Sequence, residues 1–146
     1  MADFVVPIRP RYGEVDRMGF VYHAHYLVYF ELGRTEFMRA SGISYAQVEQ
    51  RGHLLVVSEA QVRFVQPCRY DEQLELAVRV ARRGGASVVF AYELRSPDGD
   101  LRASGTTRLG CLAPDRRPCR LPDDLISALE AGPAGSPPLV PPSERA

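Results

Sequence analysis

Between residues 23 and 41, apolar side chains recur at the three- and four-residue spacing of an amphipathic helix. Gly42 then supplies a stop signal, so we predict one helix of about eighteen residues, roughly 27 Å long. Gly33 lies within the apolar stripe, where glycine costs about 1 kcal/mol relative to alanine, and we expect a sheet to approach the helix closely there. The stripe consists of Tyr26, Phe30, Gly33 and Phe37, with Leu27 and Met38 beside it.

After Gly52 the apolar residues change to a spacing of two, which is typical of strands with one buried face. Glycine or proline–aspartate turns separate these segments, as in antiparallel hairpins. Phe4–Arg11 predicts a further strand at a sheet edge, because Pro7 and Pro10 cannot donate ladder hydrogen bonds. We predict four more strands at residues 54–65, 73–83, 88–94 and 101–112, and short helices at 44–51 and 122–131.

One long helix laid across a curved antiparallel sheet of about five strands is an α+β arrangement known as the hotdog fold. The sequence shows no internal repeat, and we assign residues 1–131 to a single hotdog domain. Residues 132–146 are rich in proline without periodicity, and we expect a disordered tail there. Such a sheet ends in an exposed edge strand that a second copy could cover, so we expect a dimer.

The composition narrows the classes of function. The 18 basic and 18 acidic residues balance, so no net charge favours nucleic acid or an acidic membrane. Every basic residue is arginine, which excludes a lysine nucleophile. No apolar run reaches the ~20 residues of a transmembrane helix, and the first ten residues do not resemble a signal peptide. Cys68, Cys111 and Cys119 are widely spaced and form no C-x-x-C motif, so we expect reduced thiols in a cytoplasmic protein.

A polar loop bracketed by Gly13 and Gly19 precedes the long helix and holds the first candidate for chemistry. Asp16 lies in this loop, just before the apolar step Phe20-Val21. Its carboxylate is either the acceptor of an Asx turn or helix cap, or a base or nucleophile at the mouth of a pocket. Glu14 lies two residues earlier, and we expect it to be a solvated neighbour.

The start of the predicted helix is the second candidate. Its unpaired N–H groups and the positive end of its dipole could polarise a carbonyl, with the donor near His23. A metal held by His23 and His25 is disfavoured, because side chains two apart on a helix diverge and no third ligand is near. Arg82 and Arg83 could clamp a phosphate at a strand end or form a solvated hairpin tip.

Several of these residues form a pattern that resembles the 4-hydroxybenzoyl-CoA thioesterase family of hotdog proteins, especially its Tol-Pal-associated acyl-CoA thioesterases. The pattern is D-x-x-G-x-V-Y-H-x-x-Y from Asp16 to Tyr26, followed by F-E-x-x-R-x-E from Phe30 to Glu36. The resemblance covers roughly residues 4–125. It implies that Asp16 is the catalytic carboxylate and that the backbone N–H of His23 donates to the oxyanion. It also implies roles in the same loop for Tyr22 and Gly19, contacts to the CoA nucleotide for Arg82 and Arg83, and contacts to the partner subunit's substrate for Val57 and Ser58.

The resemblance therefore implies hydrolysis of an acyl-CoA thioester by a homodimer or homotetramer, without a metal or organic cofactor. Asp16 would act either as nucleophile or as general base. The acyl group would be aliphatic or aromatic, the aromatic candidates being 4-hydroxybenzoyl and 1,4-dihydroxy-2-naphthoyl. His25 departs from the family pattern and could alter the acyl pocket. The alternative function is a hotdog module that binds acyl-CoA or an acyl carrier without catalysis.

Overall fold

A computed structural model describes residues 4–133, in which a long helix lies on a five-stranded antiparallel sheet. This confirms the predicted α+β arrangement, and each predicted element occurs within a few residues of its expected bounds. Of the tail predicted over residues 132–146, residues 134–146 lie outside the described residues. The elements are β1 (Phe4–Ile8), α1 (His25–Ala40), α2 (Tyr45–Gln50), β2 (Leu54–Phe64), β3 (Leu74–Arg83), β4 (Ser87–Arg95), β5 (Leu101–Leu112) and α3 (Asp123–Ala131).

The strands lie in the order β1-β3-β4-β5-β2, and every neighbouring pair is antiparallel. Short turns at the predicted glycine and proline–aspartate sites join β3 to β4 and β4 to β5. β2 precedes β3 in the chain but pairs with β5, so the connection over residues 65–73 crosses from one edge of the sheet toward the other. This connection contacts the segment before α1 through a bridge between Phe20 and Arg69.

The apolar stripe of α1 packs against the sheet. The ring of Phe30 stacks on that of Tyr92, with 4.2 Å between the ring centroids. Leu27 does not belong to this stripe, because it is exposed together with Val28 and Leu32 on what we call the outer face of α1. The prediction that Leu27 extends the buried stripe is therefore wrong, since the sheet covers only the opposite side of the helix.

Gly33 allows the helix to approach the sheet closely, as its place in the stripe predicted. A Cβ atom at this position would lie 2.6 Å from Leu76 Cδ2 and 2.7 Å from Val78 Cγ2. These separations are shorter than any ordinary carbon–carbon contact. Because β3 occupies the space of a side chain, tertiary packing overrides the low helix propensity of glycine here.

The two short helices also occur as predicted. The Ser44 hydroxyl accepts a hydrogen bond from the Gln47 N–H at 3.2 Å, and the Gln47 side chain accepts one from the Ser44 N–H at 2.8 Å, which is the predicted capping box of α2. α3 buries Leu125 and Leu129 in the core. None of the helices formed by the described residues is long and apolar enough to cross a bilayer.

Candidate active site

Asp16 lies at the tip of a small hairpin whose second arm leads directly into α1. The arms are joined by a bridge between Val15 and Val21 and by a hydrogen bond of 2.9 Å from the Tyr22 N–H to the Glu14 carbonyl oxygen. Gly19 closes the turn with a φ of +83°, a backbone conformation that glycine adopts without strain. The hairpin therefore fixes the position of Asp16 relative to the start of the helix.

The carboxylate of Asp16 makes the Asx turn that was one of the two interpretations from sequence. Its Oδ1 atom accepts hydrogen bonds from the backbone N–H groups of Met18 at 2.9 Å and Phe20 at 3.3 Å. Within the described residues, the second oxygen, Oδ2, has no hydrogen-bond donor, and the side chain is half-buried. The turn thus holds the carboxylate in one orientation and leaves one oxygen available for chemistry, so the two interpretations are compatible.

Glu14 is buried, contrary to the expectation of a solvated neighbour, with only 7% of its surface exposed. Its carboxylate accepts hydrogen bonds from the Arg11 backbone N–H at 2.8 Å, the Arg11 guanidinium at 3.1 Å and the Tyr29 hydroxyl at 2.9 Å. Burial by itself would raise the pKa of Glu14, but these hydrogen bonds outweigh it and hold the pKa below its usual value. Glu14 therefore anchors the Asp16 hairpin to α1 rather than supplying a second reactive carboxylate.

The β2–β3 connection supports the hairpin from the other side. The Val21 N–H donates to the Cys68 carbonyl oxygen at 2.8 Å, and the Arg69 guanidinium lies over the Phe20 ring, 5.3 Å from its centroid. Burial raises the pKa of the Cys68 thiol. The thiol therefore stays protonated and serves as part of the core under the hairpin.

An ion pair that sequence analysis missed holds this connection in place. Arg102 of β5 donates to both carboxylate oxygens of Glu72 at 2.9 Å each, and to the Pro67 carbonyl oxygen at 3.0 Å. The hydrogen bond from Arg102 is the main cause that holds the pKa of Glu72 below its usual value. Thirty residues separate the two partners, and no local sequence signal points from one to the other.

The N-terminus of α1 presents free donors. The turn before it uses the carbonyl oxygens of Tyr22, His23 and Ala24 as acceptors. In the part of the chain that the structure describes, the backbone N–H groups of His23 and Ala24 have no acceptor, and no side chain caps the helix. Unpaired N–H groups at the positive end of a helix bind anions, so a developing oxyanion could be held there.

Aromatic side chains cluster at the same end of α1 as these donors. Tyr22 and His23 lie with their ring centroids 4.3 Å apart, and both are exposed. Phe64 is the last residue of β2. Its ring centroid lies 6.5 Å from that of His23 and 5.0 Å from that of Tyr26. The ring centroids of His25 and Tyr22 lie 6.4 Å apart. Aromatic side chains therefore cluster at the start of α1, with Tyr26 buried among them, and we call this cluster the aromatic rim (Tyr22, His23, His25, Tyr26 and Phe64).

The other predicted site residues lie elsewhere in this chain. Val57 and Ser58 are exposed on β2, where the register shifts between Val57 and Glu59, so that Ser58 is the bulged residue. Arg82 and Arg83 lie at the end of β3. The start of β3 adjoins the β2–β3 connection, and Arg82 lies about eight residues, or roughly 26 Å, further along the strand. Arg83 is also bound to Glu130 of α3. The structure therefore does not bring Arg82 or Arg83 next to Asp16 within one chain.

Two surface cavities also lie away from Asp16. One of about 390 Å³ is lined by residues around α2 and α3, and one of about 830 Å³ lies on the face of the sheet remote from α1. Neither is lined by Asp16 or His23, so this chain alone does not enclose its candidate site in either of them. Among residues 4–133, no group of three His, Cys, Asp or Glu side chains is placed to hold a metal ion.

Comparison with known proteins identifies the family. Residues 10–129 match the thioesterase-like superfamily, which is most of the chain. The chain belongs to this superfamily. This match and the similar solved structures confirm the hotdog fold expected from the sequence.

Three relatives are similar over most of their length. The chain is 33% identical to "Putative acyl-CoA thioesterase YneP" of Bacillus subtilis over 72% of this chain and 76% of that protein. It is 28% identical to "Acyl-CoA thioester hydrolase YbgC" of Escherichia coli, over 83% and 91% of the two chains. The solved structure of a DHNA-CoA thioesterase from Staphylococcus aureus superposes with a TM-score of 0.82 and 30% identity, covering 85% of this chain and 86% of that one.

Proposed function

We propose that this protein hydrolyses acyl-CoA thioesters between Asp16 and the N-terminus of α1. The observation that carries the proposal concerns residues 4–133: the Oδ2 of Asp16 has no donor among them, and its hairpin runs directly into a helix whose first N–H groups have no acceptor among them. The names of the superfamily relatives, which include acyl-CoA thioesterases, agree with this reaction. We also propose a cytoplasmic location, because CoA esters are metabolised there.

The proposed reaction uses the N–H groups at the start of α1 and the Asp16 carboxylate. The thioester carbonyl oxygen accepts hydrogen bonds from the His23 and Ala24 N–H groups, which stabilise the negative charge that develops on it. Asp16 then acts in one of two ways. Its Oδ2 attacks the carbonyl carbon to give an anhydride that water opens, or it removes a proton from a water molecule that attacks the same carbon. In both routes the carbon–sulfur bond breaks, and CoA leaves as a thiol after taking up a proton.

A second copy of the chain would complete the site. β2 is a long edge strand with exposed apolar side chains, including Val56, Val57 and Phe64. Antiparallel pairing of two such strands about a two-fold axis places the first half of one beside the second half of the other. The partner's Val57 and Ser58 would then lie beside the second half of this chain's β2, the half that ends at Phe64 in the aromatic rim. We therefore propose a homodimer as the catalytic unit, alone or within a tetramer, with Arg82 and Arg83 left as candidate CoA contacts.

We also propose a second form of this function, in which the acyl group is aromatic, because the aromatic rim lies at the same end of α1 as the oxyanion donors. Offset or edge-on contacts between rings stabilise such a group beyond simple burial. This form corresponds to the 4-hydroxybenzoyl-CoA and 1,4-dihydroxy-2-naphthoyl-CoA thioesterases, and the aliphatic form to the Tol-Pal-associated type. A panel of aromatic and short aliphatic CoA esters, followed with a thiol reagent, would rank kcat/KM and separate the two forms.

Asp16→Asn tests the catalytic role directly. Asparagine keeps an oxygen for the Asx turn, so the hairpin should stay folded, while the base or nucleophile is lost. We expect kcat to fall by about 10²–10⁴-fold, with the affinity for a non-hydrolysable CoA thioether nearly unchanged. Asp98→Asn, in the exposed β4–β5 turn, is the matched control and should retain full activity. Unchanged turnover in Asp16→Asn would overturn the assignment, and binding without turnover in the parent protein would favour the non-catalytic module.

A further inference from the structure

Cys111 and Cys119 lie against each other at the end of β5. Their Sγ atoms are 3.3 Å apart, and the Cys119 N–H donates to the Cys111 carbonyl oxygen at 2.9 Å. A bridge between Leu112 and Pro118 continues the pairing, so the two cysteines face each other across a short antiparallel ladder. All three cysteines of the chain are free thiols in the structure.

The backbone around this pair already suits a disulfide. Facing residues in an antiparallel ladder have Cα atoms about 4.5–5.5 Å apart, which is within the range that disulfides span. The sulfur atoms would have to approach each other by roughly 1.2 Å to reach bonding distance. A side-chain rotation is enough for such a shift, so the loop between the cysteines need not move.

We propose that Cys111 and Cys119 form a reversible intrachain disulfide when the protein meets a peroxide. Cys119 is the residue that an oxidant reaches, because it is only partly buried and its neighbours Pro118 and Arg120 are exposed. Cys111 is buried, with 2% of its surface exposed. The site therefore has an accessible thiol backed by a sheltered one, which is the arrangement of a peroxide-reactive cysteine with a resolving cysteine.

The reaction balances in two steps. The Cys119 thiolate attacks one peroxide oxygen, the O–O bond breaks, and a sulfenic acid and hydroxide form. The Cys111 sulfur then attacks the Cys119 sulfur, the S–O bond breaks, and the departing oxygen leaves as water with the Cys111 proton. Burial first, and then the neighbouring Cys119 thiol, raise the pKa of Cys111. Because Cys111 is also the less accessible of the two thiols, Cys119 meets the oxidant first and Cys111 serves as the resolving partner.

The pair is remote from Asp16. Arg102 lies near the start of β5, beside the β2–β3 connection that supports the Asp16 hairpin, and Cys111 lies nine residues further along the strand, or roughly 30 Å. The chain after Cys119 runs through Leu121, a core residue, into α3. The disulfide would therefore tie β5 to the α3 segment and restrict the unfolded chain, without changing the geometry at Asp16.

Peptide mapping after oxidation tests the proposal. The folded protein is treated with hydrogen peroxide, remaining thiols are alkylated, and trypsin cuts after Arg116, between the two cysteines. We expect a monomer that has lost the mass of two hydrogen atoms, in which the peptide containing Cys111 is joined to the peptide containing Cys119 until dithiothreitol is added. Oxidation of Cys119 to a sulfinic acid without a linked peptide, or a disulfide between two chains, would overturn the proposal.

Cysteine variants provide the controls. Cys68 is fully buried and tied into the core under the hairpin, so Cys68→Ser, if it folds, should still give the linked peptide, and Cys68 should remain alkylatable after unfolding in the parent protein. Cys119→Ser should fold, because this residue is only partly buried, and should give no linked peptide. In the parent protein the oxidised form should melt several degrees above the reduced form. An oxidised form that melts lower would also contradict the proposed geometry.

Discussion

β1 and β2 form the two edges of one sheet, yet only β2 is long and apolar enough to pair with another strand. β1 has five residues, and Pro7 removes one of its backbone donors. β2 has eleven residues without proline and carries exposed valines and Phe64. A short, proline-containing edge is protected against pairing, whereas a long apolar edge invites it.

The same difference appears in the ion pairs beside the two edges. Near β1, Arg9 and Asp71 lie 3.5 Å apart with 51% and 60% of their side chains exposed. Near the end of β2, Arg102 and Glu72 are 13% and 27% exposed and form two parallel hydrogen bonds. Exposed pairs of the first kind contribute about 0–1 kcal/mol, and partly buried bidentate pairs contribute more. The pair of Arg102 and Glu72 should therefore stabilise the fold more than the pair of Arg9 and Asp71 does.

Replacing one valine on each edge strand should give the largest difference between the two edges, measured as a change in dimerisation. Val57 and Val5 are exposed to 48% and 45% and so form a matched pair. Val57→Lys places like charges in the proposed symmetric interface, which costs several kcal/mol, so we expect the dimer dissociation constant to rise about 100-fold or more. Thioesterase activity should fall with the dimer. Sedimentation velocity and turnover at matched concentrations would measure both.

Val5→Lys is the control for that prediction. Lysine is a common protective residue on edge strands, and we expect neither the dimer nor turnover to change. If both variants behave alike, or if Val57→Lys remains a fully active dimer, then β2 is not the interface, and the contrast between the edges has no role in assembly.

Glu72→Gln should lower stability by about 1–3 kcal/mol, since it leaves the partly buried Arg102 guanidinium without its charged partner. Asp71→Asn should change it by less than about 1 kcal/mol, because its ion pair is exposed. Asn also tolerates the positive φ of 66° at this position. Urea unfolding of the three proteins gives the comparison directly, and equal losses in both variants would contradict it.

Acid should produce a smaller, graded loss of stability with a defined sign. The pKa values of Glu72 and Glu14 are lowered in the folded protein, and a glutamate in the unfolded chain has a pKa of about 4.3. Their contribution is complete above that unfolded value and is lost as the pH falls through the lower folded values. Unfolding midpoints measured from pH 7 to pH 3 should decline most steeply below about pH 4.3. The decline of the unfolding midpoint with falling pH should be shallower in Glu72→Gln. A protein that becomes more stable toward acid would contradict the lowered pKa values of the two glutamates.

Much of the fold follows from periodicity along the chain. The spacing of apolar residues located α1 and the strands, because burying one face of a helix or strand imposes a local repeat. Gly33 predicted a close approach of the sheet, since a glycine inside a helix needs a compensating contact. Asp16 was predicted as a candidate from its loop and from the family pattern. Its Asx turn could also be predicted, because the hydrogen bonds of that turn join residues close together in the chain.

What the sequence determined on its own was therefore the set of elements and the loop that holds Asp16. Tertiary structure decided which distant groups meet. Glu14 is joined to α1 by Tyr29, Glu72 is paired by a residue thirty positions away, and Cys111 and Cys119 are brought together by a turn with no regular pattern. These contacts depend on where the chain returns in space, and a repeat along the chain carries no information about that return. The exposed face of α1 belongs with them, since only the packed sheet shows which side of a helix it leaves uncovered.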